Sequence, residues 1–540
     1  MELIECVPNF SEGQNAKTIE AISAAIRNTP EVSLLDCDPG ASTNRTVYTF
    51  VGNSVSVVNA AFNAASVANK LIDMAVHKGQ HPRFGAMDVC PFIPVRNATM
   101  EDCVVCAKKL GERMGSELHL PVFLYGNAST REHRKRLPDI RQGGMGEYEG
   151  LEDNITKVGW EPDYGPAEFN SSWGATAVGA RMFLIAYNIN LLGTKEQANR
   201  IAFNVREKGR GEDKPGRFKH VAGIGWFVDE YNLAQVSVNC TDFTVTNIHT
   251  VFESCKKDAR EMNLAVAGSE LVGLVPLECI LDIAKFYMEK ENLFIVDERQ
   301  MVHLAIDRLG LNSVSRFDAD ERIIDYKCKQ KDPELMSMTV KDFVNILGAR
   351  TSAPGGGSAS ALVAAIGTGL GSMMGWMTYG TLKFADLDKT MRENIKPLHE
   401  ATQQLIYRID ADTDAFNEYM VGMKMAKNSE EEKIARNEAM QKGLKTAIDV
   451  PLATMRIANG IWGCMIELAK TGNIKSLSDL QVGARCLEVG IWGCYKNVEI
   501  NMGDIQDIDY KQTVLKEAEE ICENAKAKCD MVLSLLADRI

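Results

Sequence analysis

RIIDYKCKQKDPEL, residues 322–335, is the stretch that divides this chain. Its centre, KCKQKDPE, is charged and has no apolar period, so it reads as a boundary between domains. On its N-terminal side the apolar period switches between two and 3.6, as it does where strands alternate with helices. On its C-terminal side strand signals disappear and only the helical period remains. The 540 residues exceed one core, and about 150 residues per domain suggests three or four units.

Working back from the boundary, the sequence predicts strands at 3–7, 32–37, 45–51, 91–95 and 122–125. Helices are expected at 11–27, at 55–75 and after Thr99. From Met182 a similar order returns: a strand to Ile189, a helix from Thr194, hairpin strands near Ile224 and Val236, a helix from His249 and a strand near Val266. Two β-α-β-β-α-β series in tandem predict an α+β region of two ferredoxin-like subdomains, 1–180 and 181–326, with two sheets and the helices outside. A linker at 327–336 then leads to an all-α helix bundle, 337–540. Its expected helices are 340–347, 358–379, a long segment carrying Asp412, 430–470 interrupted at Pro451, 477–497 and 512–536.

Sixty basic against 73 acidic residues give a net charge of −13, which argues against general binding to nucleic acid or anionic membranes. An anionic ligand would need a local basic patch. Two runs offer one: Arg131, His133, Arg134, Lys135 and Arg136, then Arg206, Lys208, Arg210, Lys214, Arg217 and Lys219. Solvated loops and helix ends explain most such runs. The opening MELIECVPNF has no cationic leader before an apolar core, so no secretory signal is expected. Fourteen irregularly spaced cysteines point to a reduced, cytosolic chain, with Cys103 and Cys106 read as buried thiols. Residues 353–382 carry no charge and space Gly367, Gly371 and Gly375 by four. Those glycines permit close helix contact but dilute hydrophobicity, so a central bundle helix is expected over a membrane span.

Chemistry concentrates in four places. Leu405, Ile409, Asp412, Phe416, Tyr419 and Met423 share one helical face, which Asp410 and Asp414 leave. A carboxylate turned toward apolar neighbours has its pKa raised and can exchange a proton near neutrality, although a structural aspartate between helices gives the same pattern. HKGQHPRFGAMDVCPF, residues 77–92, puts His77 and His81 in a Gly- and Pro-punctuated loop. Gly79 and Pro82 break the helix a zinc pair would use, which leaves general acid/base work or loop capping. PDYGPAEFNSSWGATAVGAR, 162–181, mixes aromatic faces with backbone amides and hydroxyls, suited to a flat heterocycle or to an ordinary turn. SAPGGGSASA, 352–361, sets three glycines before a helix start, where free N–H groups attract an anion, with Ser358 as N-cap the plainer reading.

Together CVPNFSEG, STNRTVYTFVG, HKGQHPRFGAMDVCPFIPV, SSWGATAVGARMFLIAYNINLLGTKEQA, ENLFI, APGGGS and DADTDAF resemble the formimidoyltransferase-cyclodeaminase family along the whole chain. The resemblance implies transfer of a formimidoyl group from N-formimidoyl-L-glutamate to tetrahydrofolate by the α+β region. Cyclisation to 5,10-methenyltetrahydrofolate with loss of ammonia would follow in the bundle. It implies that His81 is the transferase's catalytic residue and Asp412 the cyclodeaminase's. The folate-binding stretch would be Gly165, Pro166, Ala167, Glu168, Phe169, Asn170, Ser171, Ser172, Trp173 and Gly174, and no metal is expected. The resemblance further implies a ring-like homo-octamer, a tetramer of dimers, that retains polyglutamylated tetrahydrofolate. The basic runs, extended to Arg141, could act as rails for the anionic tail. By the same resemblance the chain would be cytosolic, with association to Golgi, centrosome or vimentin filaments as a further expectation. The alternative is a scaffold in which catalysis is secondary, and a metal-dependent hydrolase using His77 and His81 comes third.

Overall fold

The computed structural model describes residues 2–41, 43–79, 83–328 and 335–539. They form two compact units, Met1–Lys329 and Gln330–Ile540. The first is α/β and the second all-helical.

The first series runs β1 (Leu3–Cys6), β2 (Asn9–Phe10), α1 (Ala16–Arg27), β3 (Val32–Gly40), β4 (Arg45–Gly52), α2 (Ser54–Leu71) and β5 (Met87–Arg96). It continues with α3 (Met100–Glu117), β6 (Val122–Gly126), α4 (Glu147–Asn154) and β7 (Thr176–Ala180). β1 and β2 behave as one interrupted strand, each pairing antiparallel with both β4 and β5. β3 borders β4, while β7 joins β5 and β6 in parallel. The second series is β8 (Ile185–Leu192), α5 (Lys195–Val205), β9 (Val221–Val228), β10 (Leu233–Cys240), α6 (Ile248–Glu261) and β11 (Ala265–Val272). Its sheet order is β11-β8-β10-β9. In both series the fourth strand lies beside the first, then come the third and the second. Helices α7 (Leu277–Glu291), α8 (Glu298–Leu309), α9 (Ala319–Arg322) and α10 (Ile324–Lys327) complete the unit.

Alternation along the strands assigns side chains to two cores. Ile4 and Cys6 join Phe10, Tyr48, Phe50 and Phe92 in one. Leu3, with Val51 and Ile93, joins Ile185, Tyr187 and Phe252 in the other.

Helix starts follow capping chemistry. Thr99 forms a capping box with Asp102, and Thr194 one with Gln197. The first helix begins at Ala16 and not at Ser11, because Asn15 accepts hydrogen bonds from the Lys17 and Thr18 amides. The stretch 162–181, expected as a connector, ends in strand β7, whose small residues fit between β5 and β6. A Cβ on Gly179 would come within 2.5 Å of the Tyr125 ring.

The helical unit comprises α11 (Val340–Leu347), α12 (Gly356–Thr378), α13 (Asp388–Lys424), α14 (Glu430–Asn459), α15 (Trp462–Thr471), α16 (Leu477–Asn501) and α17 (Ile508–Ala537). Pro451 does not interrupt its helix, and the break falls beyond Asn459. Pro451 cannot donate to the Ala447 carbonyl one turn back, and that carbonyl accepts a hydrogen bond from Asn501 Nδ2 instead, at 3.2 Å. By length and composition α12 could cross a membrane, and in the bundle its small residues lie against α13 and α16. A Cβ on Gly367 would meet the Gly483 carbonyl at 2.8 Å, and one on Gly375 would meet Ile395 at 2.6 Å.

Candidate functional sites

The motifs of the α/β unit converge on one end of its first sheet. Asn44 accepts from the Gly13 amide and donates to the Lys78 carbonyl, both at 2.9 Å, so it ties SEG and STNR to the histidine loop. Gly79 is required here, since a Cβ would come within 2.2 Å of the Thr43 carbonyl. His77 is buried, and its Nε2 donates to the Asn44 carbonyl at 2.8 Å. That bond fixes the tautomer, because a carbonyl can only accept. His81 lies outside the described residues. Among those described, no group of three or more His, Cys, Asp or Glu could hold a metal ion.

Arg83, two residues beyond His81, donates to the Met74 and His77 carbonyls and to Glu149, and its guanidinium lies 4.7 Å from the centre of the Tyr148 ring. Five residues on, Asp88 is fully buried on β5. Its carboxylate accepts from the Phe84 amide at 2.8 Å, from Arg45 at 2.6 Å and from Arg141. Arg45 also reaches Asn9 Oδ1 at 3.2 Å. Burial pushes the Arg141 guanidinium down, and Asp88 opposes that shift. The cluster therefore fixes charge beside the histidine loop. Sequence reading missed it, and the available signal was an aspartate placed mid-strand in AMDVCPF.

The stretch 165–174 packs alongside. The Met74 amide donates to the Ser172 carbonyl at 2.9 Å, Tyr148 Oη to the Ser171 carbonyl at 2.6 Å, and the Ala86 amide to the Trp173 carbonyl at 2.7 Å. Gly165 and Gly174 have φ of +79° and +75°, in the left-handed region that favours glycine. A Cβ on Gly165 would lie 2.0 Å from the Leu120 carbonyl. Asn170 Oδ1 accepts from the Ser172 and Trp173 amides and closes the turn. Gly165, Glu168, Ser171 and Ser172 are exposed, and Phe169 is half-buried, 5.6 Å from Tyr148. Trp173 is different: it is fully buried and donates to Thr176 Oγ1 at 3.0 Å. It anchors the loop in the core and offers no ring face to a ligand.

The basic runs are largely engaged internally. Arg134 is fully buried and bound to Asp163 at 3.0 Å and to the Gly159 and Glu161 carbonyls. Arg131 reaches Glu161, Arg141 is held by Asp88, and Arg206 donates to the Gly209 and Gly223 carbonyls. Arg217 pairs with Asp258 at 2.7 Å, whereas Lys208, Lys214 and Lys219 are exposed. Cys103 and Cys106 are buried, and desolvation pushes the Cys106 thiol up to about 12.

In the helical unit the stripe of α13 grades outward. Leu405 and Ile409 are fully buried, Asp412, Phe416 and Tyr419 are half-buried, and Met423 is 40% exposed near the helix end. Asp410 turns aside and accepts from the Leu335 amide at 2.8 Å, while Asp414 is exposed. The Asp412 carboxyl meets the first turn of α12. Ser358 Oγ lies 3.2 Å from Asp412 Oδ2 and 3.1 Å from Thr413 Oγ1. A Cβ on Gly357 would lie 2.0 Å from Asp412 Oδ1. Gly357 of APGGGS thus lets the carboxyl settle against the Ser358 amide at the start of α12. Burial raises the Asp412 pKa, and the Ser358 hydroxyl and amide oppose the rise.

Family models match three consecutive parts of the chain: "Formiminotransferase domain, N-terminal subdomain" at residues 3–181, "Formiminotransferase domain" at 186–329 and "Formiminotransferase-cyclodeaminase" at 339–520. The chain is 57% identical to the formimidoyltransferase-cyclodeaminase of Dictyostelium discoideum, over 100% of its own length and 99% of the relative's. Against the Mus musculus protein of the same name the identity is 52%, with the same two coverages. A glutamate formimidoyltransferase of Streptococcus pyogenes is 39% identical over 54% of this chain and 95% of its own.

Proposed function

The chain belongs to the formimidoyltransferase-cyclodeaminase family, and from that premise we propose how its two units divide the work. The α/β unit transfers the formimidoyl group from N-formimidoyl-L-glutamate to N5 of tetrahydrofolate. The helical unit then joins N10 to the same carbon and expels ammonia, giving 5,10-methenyltetrahydrofolate. The supporting observation is that one family's sequence pattern runs through both an α/β unit and a helical one.

In the transferase step we assign His81 the proton transfers. Its imidazole takes the N5 proton as nitrogen attacks the amidine carbon, and a proton returns to the departing glutamate nitrogen. The Asp88 cluster and Arg83 fix the two ends of the strand entry that follows His81. The stretch 165–174 offers its exposed edge to folate, with backbone groups and the Phe169 face in place of Trp173.

In the cyclodeaminase step Asp412 is the acid/base. The N10 lone pair forms the new C–N bond, the carboxyl gives its proton to the amino group, and the C–NH3 bond breaks. The carboxylate then takes the N10 proton and is ready for the next turnover. Substrate amidinium and product methenyl each carry one positive charge, so the step balances with neutral ammonia released.

We read the two sheets as two ferredoxin-like subdomains, which their shared strand order supports, within boundaries 1–180, 181–326 and 337–540. On family grounds we propose a cytosolic octamer acting on polyglutamylated folate, without a metal. Lys208, Lys214 and Lys219 are the exposed lysines of the second basic run that could meet an anionic tail.

The test uses half-reactions. His81→Ala should lower formimidoyl transfer by at least a hundredfold, within the range of one lost acid/base group, and leave cyclodeamination of supplied 5-formimidoyltetrahydrofolate intact. Asp412→Ala should do the reverse. Loss of both activities in either variant, with fold retained, would refute separate sites.

A further inference from the structure

We propose that Ser358 is the positioning residue of the cyclodeaminase site, its hydroxyl and amide holding the Asp412 carboxyl against α12 in both the forms that the proton transfer requires. The inference rests on Asp412 being the acid/base and goes beyond it.

Three observations carry it. First, Ser358 is fully buried, so its hydroxyl serves the groups packed around it and does not meet substrate. Second, its Oγ reaches both Asp412 Oδ2 and Thr413 Oγ1, at 3.2 and 3.1 Å. A hydroxyl donates one hydrogen bond and accepts others. When Asp412 is ionised, Ser358 donates to it and accepts from Thr413. When Asp412 is protonated, the proton sits on its other oxygen, ready for transfer, and Ser358 still donates to Oδ2, more weakly because that oxygen no longer carries charge. The Ser358 hydroxyl therefore holds the carboxyl through its cycle without moving a heavy atom, and holds the ionised form more strongly. Third, the carboxyl can sit there only because residue 357 is glycine, as a Cβ would overlap Asp412 Oδ1 at 2.0 Å. The N-cap of α12 is Gly355, which has no side chain to satisfy the first turn, and Asp412 supplies that charge from a neighbouring helix.

The surroundings leave this balance to Ser358. Burial raises the Asp412 pKa, and the two Ser358 bonds lower it. Among the described residues no charged side chain from α12, α13, α14 or α16 contributes to that shift. Asp410 is turned to the Leu335 amide, and Asp414 is exposed. The titratable neighbour is Cys494 of α16, whose thiol is pushed up by burial and stays neutral.

The experiment is a pH–rate profile of the full-length protein on supplied 5-formimidoyltetrahydrofolate. The donating form of Asp412 is the protonated one, so kcat falls as pH rises through its pKa. Ser358→Ala removes a bond that favours the ionised form and should move that limb upward by about one to two pH units, with kcat reduced about tenfold and KM little changed. Gly357→Ala should abolish cyclodeamination while formimidoyl transfer continues, which serves as the check that the chain is folded. An unmoved limb in Ser358→Ala, with circular dichroism unchanged, would overturn the inference, as would a fully active Gly357→Ala. If Asp412→Ala itself retains cyclodeamination, the failure belongs to the acid/base assignment and not to Ser358.

Discussion

Glu5 shows what one carboxyl can cost in this interior. It lies on β1 with 4% of its surface exposed, and burial pushes its pKa from 4.5 to about 7 against the pull of Arg181. A group that titrates higher when folded binds more protons in the native state, so stability falls as pH rises from about 4.5 to 7 and stays lowered above that. Glu5→Gln should therefore raise stability at pH 8, by up to about 3 kcal/mol, and leave it nearly unchanged at pH 4. Chemical denaturation at both values checks this, and an equal effect at both would remove the titration as its cause. Asp410 makes a contrasting case. Asp410→Ala loses the bond to the Leu335 amide and should cost about 1–2 kcal/mol, while cyclodeamination per folded molecule stays near wild type. At this scale the half-buried placement of Asp412 was legible, because one polar residue in an apolar helical stripe is a local pattern. Arg45, Asp88 and Arg141 were not, because their meeting depends on three segments brought together by the sheet. Trp173 misled for a related reason: composition identifies an aromatic residue without saying which way its ring faces.

Helix starts were readable where a capping residue stands three positions before its partner, as at Thr99 and Thr194. Pro451 was misread because the compensation lies 50 residues away, in the Asn501 side chain that serves the Ala447 carbonyl. A double-mutant cycle tests that account. Asn501→Ala should cost about 1 kcal/mol when residue 451 is proline and much less beside Pro451→Ala, which restores a backbone donor to the same carbonyl. Additive effects would show that the side chain and the missing N–H are unrelated. β7 escaped because TAVGA has neither the bulk nor the β-branched content that marks a strand. Its place between two parallel neighbours rewards small residues, which is a tertiary reason. The α12 segment was legible as a bundle helix for the opposite reason, since glycines spaced by four leave a flat face whatever surrounds them.

At the scale of the chain, the change from an α/β region to an all-helical one was readable because a change of apolar period is a property of long windows and survives local errors. The pairing of each unit with one reaction came from motif order and family likeness, since neither fold dictates its chemistry. The central claim is that one polypeptide carries two separable proton-transfer sites, one built around His81 and one around Asp412. The most direct measurement supplies formimidoylglutamate and tetrahydrofolate to His81→Ala, to Asp412→Ala and to an equal mixture of the two, and follows methenyltetrahydrofolate. We expect neither variant alone to form it and the mixture to recover it, through intermediate made on one protein and closed on the other. A mixture as inactive as its components, with each variant folded, would contradict the account.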